Sequence, residues 1–402
     1  MKILFVTSRF PYPPMKGDQV VLCHRLQDLS RKHDITLLSL YEKNSQLADL
    51  QHLRPWCRAI HLVKLPKWRS YVNVAFKGPF SRSPLQILYY RCRAFQDKID
   101  HLLATDRFDL IHAFLLRVAP YIRPAPIPKV IDLNDSMSLN LKRRLKMEGP
   151  FKRFLLREEL RRITVIENGL SSSLEQVIVV SESDRASIPG ANVDVVPIGV
   201  NADYFAPCGQ LGSREPMIIF SGNMSYAPNI HAVRWFAANC FPLIRDGQSA
   251  ARFVIAGNNP PLEVRRLEKQ DGIQVLGFVD SMPAVLNRAR LGVAPMQSGS
   301  GMQIKILEAM SCGLPVVTTT IGLGSIKCRP GLEVFVADTA ENFAKRTLAL
   351  LRDSAASRVM GAAGRRFVLE NHSWESASRQ VDDIYRLSGA KLRYRSLPQQ
   401  AN

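Results

Sequence analysis

A lysine and a glutamate three positions apart, Lys305 and Glu308, stand near the start of a helical pattern that is otherwise apolar. Two glycines, Gly299 and Gly301, come just before this helix and let the backbone approach a ligand closely. The start of a helix also directs free N–H groups and a positive dipole end towards the same point. This arrangement predicts an anion site.

Helix geometry places Glu308 about one turn from Lys305, since three residues advance ~4.5 Å along the axis. A nucleoside diphosphate lying along the helix would put its phosphates beside Lys305 and its ribose hydroxyls beside Glu308. The lysine would neutralise phosphate, and the carboxylate would accept two hydrogen bonds. The spacing alone favours a simpler alternative, an exposed i,i+3 ion pair worth roughly a few tenths of a kcal/mol.

The elements that must position this helix are short, strongly apolar strands separated by helical patterns. A first series comprises KILFVTS, DITLLSL, AIHLVKL, DLIHAF, KVIDLND and QVIVVSE, and a second comprises MIIFSGN, RFVIAGN, IQVLGFV, LGVAPM, LPVVTT and EVFVAD. Strands that are apolar throughout are typical of a parallel sheet covered on both faces. Each series therefore predicts a doubly wound α/β domain of the Rossmann-like type.

The boundary between the two predicted domains falls in a stretch rich in proline and glycine, near residue 205. The predicted domains are 1–205 and 206–380, followed by a C-terminal helix and tail, 381–402, that could lie on either domain. If the two domains face each other, a cleft lies between the carboxyl ends of both sheets, where open α/β sheets usually bind ligands.

Composition excludes several classes of protein. The chain has 402 residues, of which 46% are hydrophobic and 22% charged, enough for two well-buried domains. Its opening residues read as a first strand and not as a signal peptide, and no run approaches the ~18 apolar residues of a membrane span. Seven scattered cysteines without a C-x-x-C pair disfavour a disulfide framework and a zinc site, and predict a reduced, cytoplasmic location.

The net charge of +19 is concentrated in two segments of the first domain. Residues 64–93 contain seven basic residues and no acid, and residues 142–162 contain nine basic residues against three acids. Both segments mix these charges with aromatic and leucine side chains, which suits an anionic membrane surface. Nucleic acid would be attracted by the same charge, and a solvated basic face over an ordinary core is the remaining alternative.

Taken together, the motifs resemble a known family. They are GSGMQIKILEAMSCGLPVV, GNMSYAPNIHAVRWF, FVIAGNNP, VLGFVDSMPAVLNRARLGVAP, SWESA, FPYPPMKGDQVVLCHRL and VPIGVNADYFAP. They are similar to the retaining glycosyltransferases of family 4, which have the GT-B fold, and most of all to the sugar transferases of exopolysaccharide or cell-surface polysaccharide assembly. The resemblance spans nearly the whole chain. It implies transfer of a sugar from a nucleotide diphosphate donor with retention at the anomeric carbon, without a catalytic metal or a cofactor.

The resemblance also implies roles for individual residues. Glu308 matches the glutamate that binds ribose, whereas Ser300 stands where the family usually has a glutamate that contacts the sugar. Asn223 and Asn229 occupy the neighbourhood of a diphosphate-binding Arg and Lys, so Lys305 takes over the charge and is the predicted catalytic cation. Gly17 matches the glycine that lets the first domain close on the diphosphate. The full set of predicted donor-binding residues is Gly17, Gly222, Asn223, Phe278, Val279, Gly299, Ser300, Gly301, Met302, Gln303 and Glu308.

Two further candidates lie in the first domain. His112 is expected to end the strand DLIHAF, and Asp135 follows VIDLN, positions where doubly wound sheets place functional residues. His112 could hydrogen-bond the sugar or stabilise a positively charged sugar ring through its backbone, and Asp135 could orient the acceptor hydroxyl. The alternatives are a core histidine and a helix N-cap.

The sequence therefore predicts a cytoplasmic glycosyltransferase, peripheral on the inner face of the cell membrane, with a UDP- or GDP-sugar as donor. Its acceptor would be a glycan or a lipid-linked acceptor, and no nucleic acid would be bound. A nucleotide-sugar epimerase of the same fold is one alternative, although it would have little use for the basic aromatic segments. A non-catalytic nucleotide-sugar-binding partner of another transferase is the second alternative.

Overall fold

The computed structural model describes residues 1–14, 17–78, 80–145, 149–208, 215–298 and 302–395. The chain forms two compact units. Unit 1 comprises Met1–Pro197 and the C-terminal segment from Ala377, and unit 2 comprises Ile198–Ser376. The units thus divide slightly before the expected boundary near residue 205, and the C-terminal segment belongs with unit 1.

Unit 1 contains a seven-stranded sheet in which all the paired strands are parallel. Its strands are β1 (Lys2–Thr7), β2 (Asp34–Tyr41), β3 (Ala59–Lys64), β4 (Leu110–Phe114), β5 (Lys129–Asp132), β6 (Gln176–Val179) and β7 (Val193–Val195). The strand order is β3-β2-β1-β4-β5-β6-β7, which is that of a doubly wound sheet. Strands are added on one side of β1 up to β3 and then on its other side from β4 to β7. The six predicted strands of this domain are confirmed, and β7 is an addition.

Helices cover both faces of this sheet, which is why its strands are apolar on both sides. They are α1 (Gly17–Leu29), α2 (Leu50–Leu53), α3 (Lys67–Lys77), α4 (Leu85–Tyr89), α5 (Arg93–Thr105), α6 (Ala119–Ile122), α7 (Met137–Leu145), α8 (Pro150–Asn168), α9 (Leu170–Ser173) and α10 (Glu182–Ser187). Residues such as Leu4, Ile111 and Ile131, from neighbouring strands, are fully buried in the resulting core.

Unit 2 contains a six-stranded parallel sheet of the same winding, ordered β10-β9-β8-β11-β12-β13. Its strands are β8 (Met217–Ser221), β9 (Arg252–Ala256), β10 (Ile273–Gly277), β11 (Leu291–Ala294), β12 (Val316–Thr318) and β13 (Phe335–Val336). Its helices are α11 (Ala227–Trp235), α12 (Phe241–Gly247), α13 (Leu262–Arg265), α14 (Met282–Arg288), α15 (Ile304–Ser311), α16 (Thr320–Leu323), α17 (Ala340–Arg352) and α18 (Ser354–Asn371). All six predicted strands are confirmed. The order in which the strands are added to the sheet changes direction between β8 and β11.

A last long helix, α19 (Trp374–Arg395), packs against unit 1 beyond Ala377. The hydroxyl of Tyr385 lies 2.7 Å from His112 Nδ1 on β4, and the Asp382 carboxylate lies 3.1 Å from His33 Nε2. Both contacts lie in buried surroundings, so the helix is part of the unit 1 core.

No helix in the described ranges has the length and apolarity needed to cross a bilayer. None of the seven cysteines, all of which lie in these ranges, forms a disulfide.

Candidate active site

The site in unit 2 forms where the strand order reverses. The chain leaves β8 at Gly222 and leaves β11 on the way to α15, so the carboxyl ends of two neighbouring strands open onto the same point. Open α/β sheets bind ligands in the crevice at such a reversal. The fold therefore brings Gly222 and Asn223 close to Lys305.

Lys305, the second residue of α15, is half-buried and surrounded by neutral groups. Its Nζ lies 2.6 Å from Asn229 Oδ1, 3.3 Å from Gln303 Oε1 and 4.6 Å from the centroid of the Phe220 ring. Burial lowers the pKa of Lys305 to about 7, and the charge of Glu308 opposes this shift. An anionic ligand at this point would supply the counter-charge that the protein itself supplies only weakly.

A glycine makes this arrangement possible. Gly222 has φ +154°, and a Cβ there would lie 2.9 Å from Asn229 Nδ2 and 3.1 Å from Lys305 Cε. The Asn229 amide also donates a 2.8 Å hydrogen bond to the carbonyl of Asn223, which turns its oxygen towards Lys305. The turn after β8 thus positions Asn229, and Asn229 positions the lysine.

Glu308 lies one turn further along α15 and is half-buried. Among the described residues its carboxylate accepts no hydrogen bond and forms no ion pair, because the hydrogen bonds of Lys305 go to Asn229, Gln303 and Met296. Burial raises the pKa of Glu308 to about 7, with the charge of Lys305 acting in the opposite sense. An exposed ion pair is therefore not what the fold forms. The predicted contact of Glu308 with ribose hydroxyls stays a prediction.

The other predicted donor-binding residues of unit 2 differ from one another in burial and in position. Met302 is half-buried and Gln303 is buried, directly before α15. Phe278 and Val279 follow β10 at the same edge of the sheet, two strands away from β8, and the Phe278 ring is 69% exposed. Gly299, Ser300 and Gly301 lie outside the described residues, so their predicted roles stay predictions.

A second cluster of polar groups lies at the strand reversal of unit 1. Arg117 follows β4 and Asp135 follows β5, and both line a cavity of about 240 Å³ together with Asp18. The Arg117 guanidinium lies 4.8 Å above the Tyr90 ring and 3.3 Å from Gln86 Oε1. Burial lowers the pKa of Arg117 and raises the pKa of Asp135.

Asp135 does not cap the helix that follows it. Ser136 Oγ accepts the backbone N–H of Leu139 at 3.2 Å, and the buried carboxylate of Glu167 accepts the N–H of Met137 at 2.8 Å. The Asp135 carboxylate instead accepts a hydrogen bond from Asn140 and lines the cavity. Its predicted contact with an acceptor hydroxyl stays a prediction, while the N-cap alternative is wrong.

The expected position of His112 is wrong. It lies in the middle of β4, which continues to Phe114, and its side chain is fully buried. The imidazole stacks on Phe5 at 4.3 Å and is bonded to Tyr385, 273 positions away along the chain. Burial, with a smaller effect of Arg25, lowers its pKa to about 3. Since α19 covers it, the His112 side chain is part of the core, and a predicted role of its backbone stays a prediction.

Gly17 is the first residue of α1. A Cβ at this position would meet no atom within 4 Å, so packing in unit 1 does not require a glycine here. The predicted role of Gly17 at the donor diphosphate stays a prediction.

The two basic segments of unit 1 lie side by side. Arg162 on α8 donates a 2.9 Å hydrogen bond to the carbonyl of Gly78, and the carboxylate of Glu159 accepts the N–H of Leu85 at 2.8 Å. The surface that the two segments form, the joined basic surface, exposes large apolar side chains, which are Trp68, Tyr71, Val72, Phe76, Phe80, Phe154 and Leu155. Within the described ranges, no group of three or more His, Cys, Asp or Glu side chains could hold a metal ion.

Comparison with known protein families gives a match within unit 2. Residues 215–353 match the family of group 1 glycosyl transferases. This stretch contains β8, α11, β11 and α15, and therefore every described residue of the Lys305 cluster.

Relatives and solved structures extend the likeness beyond the matched stretch. An uncharacterized 44.6 kDa protein in the cps region of Klebsiella pneumoniae is 20% identical over 386 residues, or 92% of this chain and 96% of that protein. A GDP-mannose-dependent alpha-(1-6)-phosphatidylinositol monomannoside mannosyltransferase of Mycobacterium tuberculosis is 26% identical over 223 residues, or 49% of this chain and 57% of that protein. The structure of Anabaena HepE in complex with UDP and glucose superposes with a TM-score of 0.66 at 13% identity, over 96% of this chain and 99% of that one. The prediction of two Rossmann-like domains, as in GT-B glycosyltransferases, is confirmed.

Several residues of these clusters were not singled out from the sequence. Phe220, beneath Lys305, looks like any core residue of a strand. Arg117 did carry a signal, because it is a lone charge directly after the apolar run of β4. A search for charges just beyond buried strands would have found it.

Proposed function

We propose that the protein is a glycosyltransferase that moves a sugar from a UDP- or GDP-sugar to a glycan or lipid-linked acceptor, with retention of configuration, in surface polysaccharide assembly. The observation that carries the proposal is the position of Lys305. Its ammonium group is half-buried, held by neutral amides, and one helical turn from a carboxylate that makes no hydrogen bond among the described residues.

The donor fits this arrangement by its charges and its hydroxyls. A diphosphate beside Lys305 offsets the cost of burying an ammonium group, and ribose hydroxyls beside Glu308 donate to a carboxylate that is short of donors. The family match over residues 215–353 supports this assignment, as do relatives whose names specify GDP-mannose and a solved fold that binds UDP.

The reaction can be written without a protein nucleophile. The bond between the anomeric carbon and the diphosphate oxygen breaks as the acceptor hydroxyl oxygen bonds to the same face of that carbon. The hydroxyl proton passes to the departing phosphate oxygen, which leaves as the nucleoside diphosphate. Charge grows on the diphosphate during this step, so Lys305 stabilises the transition state more than the ground state.

Unit 1 would supply the acceptor side. Asp135 lines its cavity with Arg117, and a carboxylate whose pKa is raised by burial is suited to orient a hydroxyl by accepting its hydrogen bond. The joined basic surface, with its exposed aromatic side chains, would hold the enzyme on the inner face of an anionic membrane, where a lipid-linked acceptor is found.

The test is a product assay with a panel of UDP- and GDP-sugars and with lipid-linked and free glycan acceptors, repeated in EDTA. We expect a glycosylated acceptor whose new linkage keeps the anomeric configuration of the donor, formed equally well in EDTA. An epimerised donor in place of a transfer product would support the epimerase alternative. Binding of the donor without turnover on any acceptor would support a non-catalytic partner.

A further inference from the structure

A large cavity of unit 1 is lined by other residues than the small cavity of Arg117 and Asp135. It has a volume of about 840 Å³ and is formed by α3, α4, the start of α5 and α6. This volume lies in the range of ~300–1,000 Å³ that is usual for small-molecule sites. Its floor is made of the buried side chains of Leu65, Ile87, Leu88 and Tyr121.

The polar groups around this floor are already satisfied. The Tyr121 hydroxyl donates to the carbonyl of Tyr90 at 2.7 Å and accepts the N–H of Cys92 at 2.7 Å. The amide of Asn73 donates to the carbonyl of Arg91 at 3.0 Å and so joins α3 to the segment before α5. The floor therefore presents hydrocarbon and aromatic surface, which suits an apolar ligand.

The rim of the cavity has the opposite character. Four exposed cationic side chains stand around it, and none of the described residues that line it is a carboxylate; the four are Arg69, Lys77, Arg91 and Arg93. Within the described part of the chain none of the four forms an ion pair, and the Arg69 guanidinium stacks over the exposed Trp68 ring at 5.3 Å. Four unpaired cations around an apolar floor complement a ligand with an apolar chain and an anionic head.

We propose that this cavity binds a single anionic amphiphile, with its hydrocarbon segment on the floor and its head group among the cations of the rim. This goes beyond attachment to a bilayer, because the ligand is one molecule and the site is a defined cavity. It deepens the proposed function and rests on it in one respect, since the amphiphile would be the lipid-linked acceptor.

Helix α4 connects the cavity with the polar cluster at the strand reversal of unit 1. Ile87 and Leu88 on α4 line the cavity, whereas Gln86 and Tyr90 contact the Arg117 guanidinium. Arg117 in turn lines the smaller cavity with Asp135. An amphiphile seated in the large cavity would therefore lie within one short helix of the residues proposed to receive the acceptor hydroxyl.

Two cysteines of the chain allow a direct measurement of occupancy. Cys92 is half-buried and lines the cavity, while Cys208 in unit 2 is exposed and serves as an internal control. The full chain is treated with a maleimide in the presence of monomeric dihexanoylphosphatidylglycerol, and labelling of each cysteine is followed by peptide mass spectrometry. We expect the lipid to slow labelling of Cys92 several-fold and to leave Cys208 unchanged. Monomeric dihexanoylphosphatidylcholine, with the same chains and no net charge, should protect far less.

Variants separate the head-group contacts from the floor. Arg91→Gln with Arg93→Gln should raise the half-protecting concentration of the anionic lipid about tenfold. The matched pair Arg58→Gln with Arg107→Gln changes the same charge at exposed positions of unit 1 outside the cavity, and should have no effect. Ala94→Trp, at an exposed lining position, should fill the cavity and abolish protection.

The proposal is overturned if Cys92 is not protected, if both lipids protect it equally, or if only vesicles do so, which would indicate a bilayer-docking surface. Calorimetric binding of UDP and GDP to the same preparation separates this inference from the proposed function. Nucleotide binding without protection of Cys92 would contradict the amphiphile site alone, and protection without nucleotide binding would contradict the donor assignment alone.

Discussion

The Nζ atom of Lys305 lies 2.6 Å from the side-chain oxygen of Asn229, so a half-buried ammonium group is held by a neutral amide. The acidic group whose charge acts on it, Glu308, lies one turn along the helix, and no hydrogen bond or ion pair joins the two side chains. An unligated site built in this way carries an electrostatic cost that an anionic ligand removes.

Lys305→Met should separate catalysis from folding. The methionine keeps an apolar stem beside Phe220 and removes the charge, so we expect kcat to fall roughly 100-fold or more with a smaller change in donor affinity. The free energy of unfolding should stay unchanged or rise, because a poorly solvated charge is lost. Steady-state kinetics and thermal unfolding are the measurements, with the exposed Lys345→Met as control. An effect confined to KM would leave only uniform binding for this lysine.

Donor affinity should have a maximum near pH 7. The pKa of Lys305 is lowered to about 7, so the lysine loses its charge and its hold on the diphosphate as the pH rises above that value. The pKa of Glu308 is raised to about 7, so the carboxylate is protonated and accepts ribose hydroxyls less well as the pH falls below it. Titrations of the nucleotide between pH 5 and 9 measure this profile.

The two limbs of that profile can be assigned by variants. Lys305→Met should remove the decline at high pH, and Glu308→Gln should remove the decline at low pH. A profile of the same shape in either variant would show that another group titrates.

Gly222→Ala should displace the Lys305 side chain by steric crowding. The added Cβ meets Asn229 Nδ2 at 2.9 Å and Lys305 Cε at 3.1 Å, so the side chains must move and donor affinity should fall. Gly331→Ala is the matched control, since Gly331 also has a positive φ, +87°, but has open space around it. Both variants should lose roughly 1–2 kcal/mol of stability from backbone strain, and only Gly222→Ala should weaken nucleotide binding. Equal binding by the two variants would contradict the positioning role of the turn.

Binding to anionic vesicles should have two components. The charges of the joined basic surface give a part that falls as salt shortens the Debye length, ~8 Å at physiological ionic strength. The aromatic side chains give a part that persists in salt. Phe76→Ser with Phe154→Ser, which replaces rings that are 74% and 70% exposed, should remove the persistent part, whereas Leu262→Ser on unit 2 should not. Co-sedimentation at two salt concentrations is the measurement, and equal partition onto neutral and anionic vesicles would argue against a membrane role.

Much of the fold could be predicted because a parallel sheet covered on both faces leaves a strong apolar signal in every central strand. β7 escaped prediction because it is a three-residue strand in a stretch rich in proline and glycine. The helix carrying Lys305 and Glu308 was predicted from its own residues, since both lie within one short segment.

The features that could not be predicted depend on contacts between segments that are distant in the sequence. The bond between Lys305 and Asn229 joins residues 76 positions apart, and only the strand order shows that their loops meet. His112 was misplaced because a polar residue in an apolar run resembles the end of a strand. Its partner, Tyr385, comes from a helix at the far end of the chain, which no local pattern around His112 could reveal.

Calorimetric titration of UDP and GDP into the wild-type protein and into Glu308→Gln tests the donor assignment most directly. We expect one of the two nucleotides to bind with one site per chain. The variant should bind that nucleotide and the matching nucleotide sugar roughly tenfold to a hundredfold more weakly, by the same factor, because the lost hydrogen bonds are to ribose. If neither nucleotide binds the wild type, or if Glu308→Gln binds it with unchanged affinity, the site at Lys305 and Glu308 is not a nucleotide-sugar site.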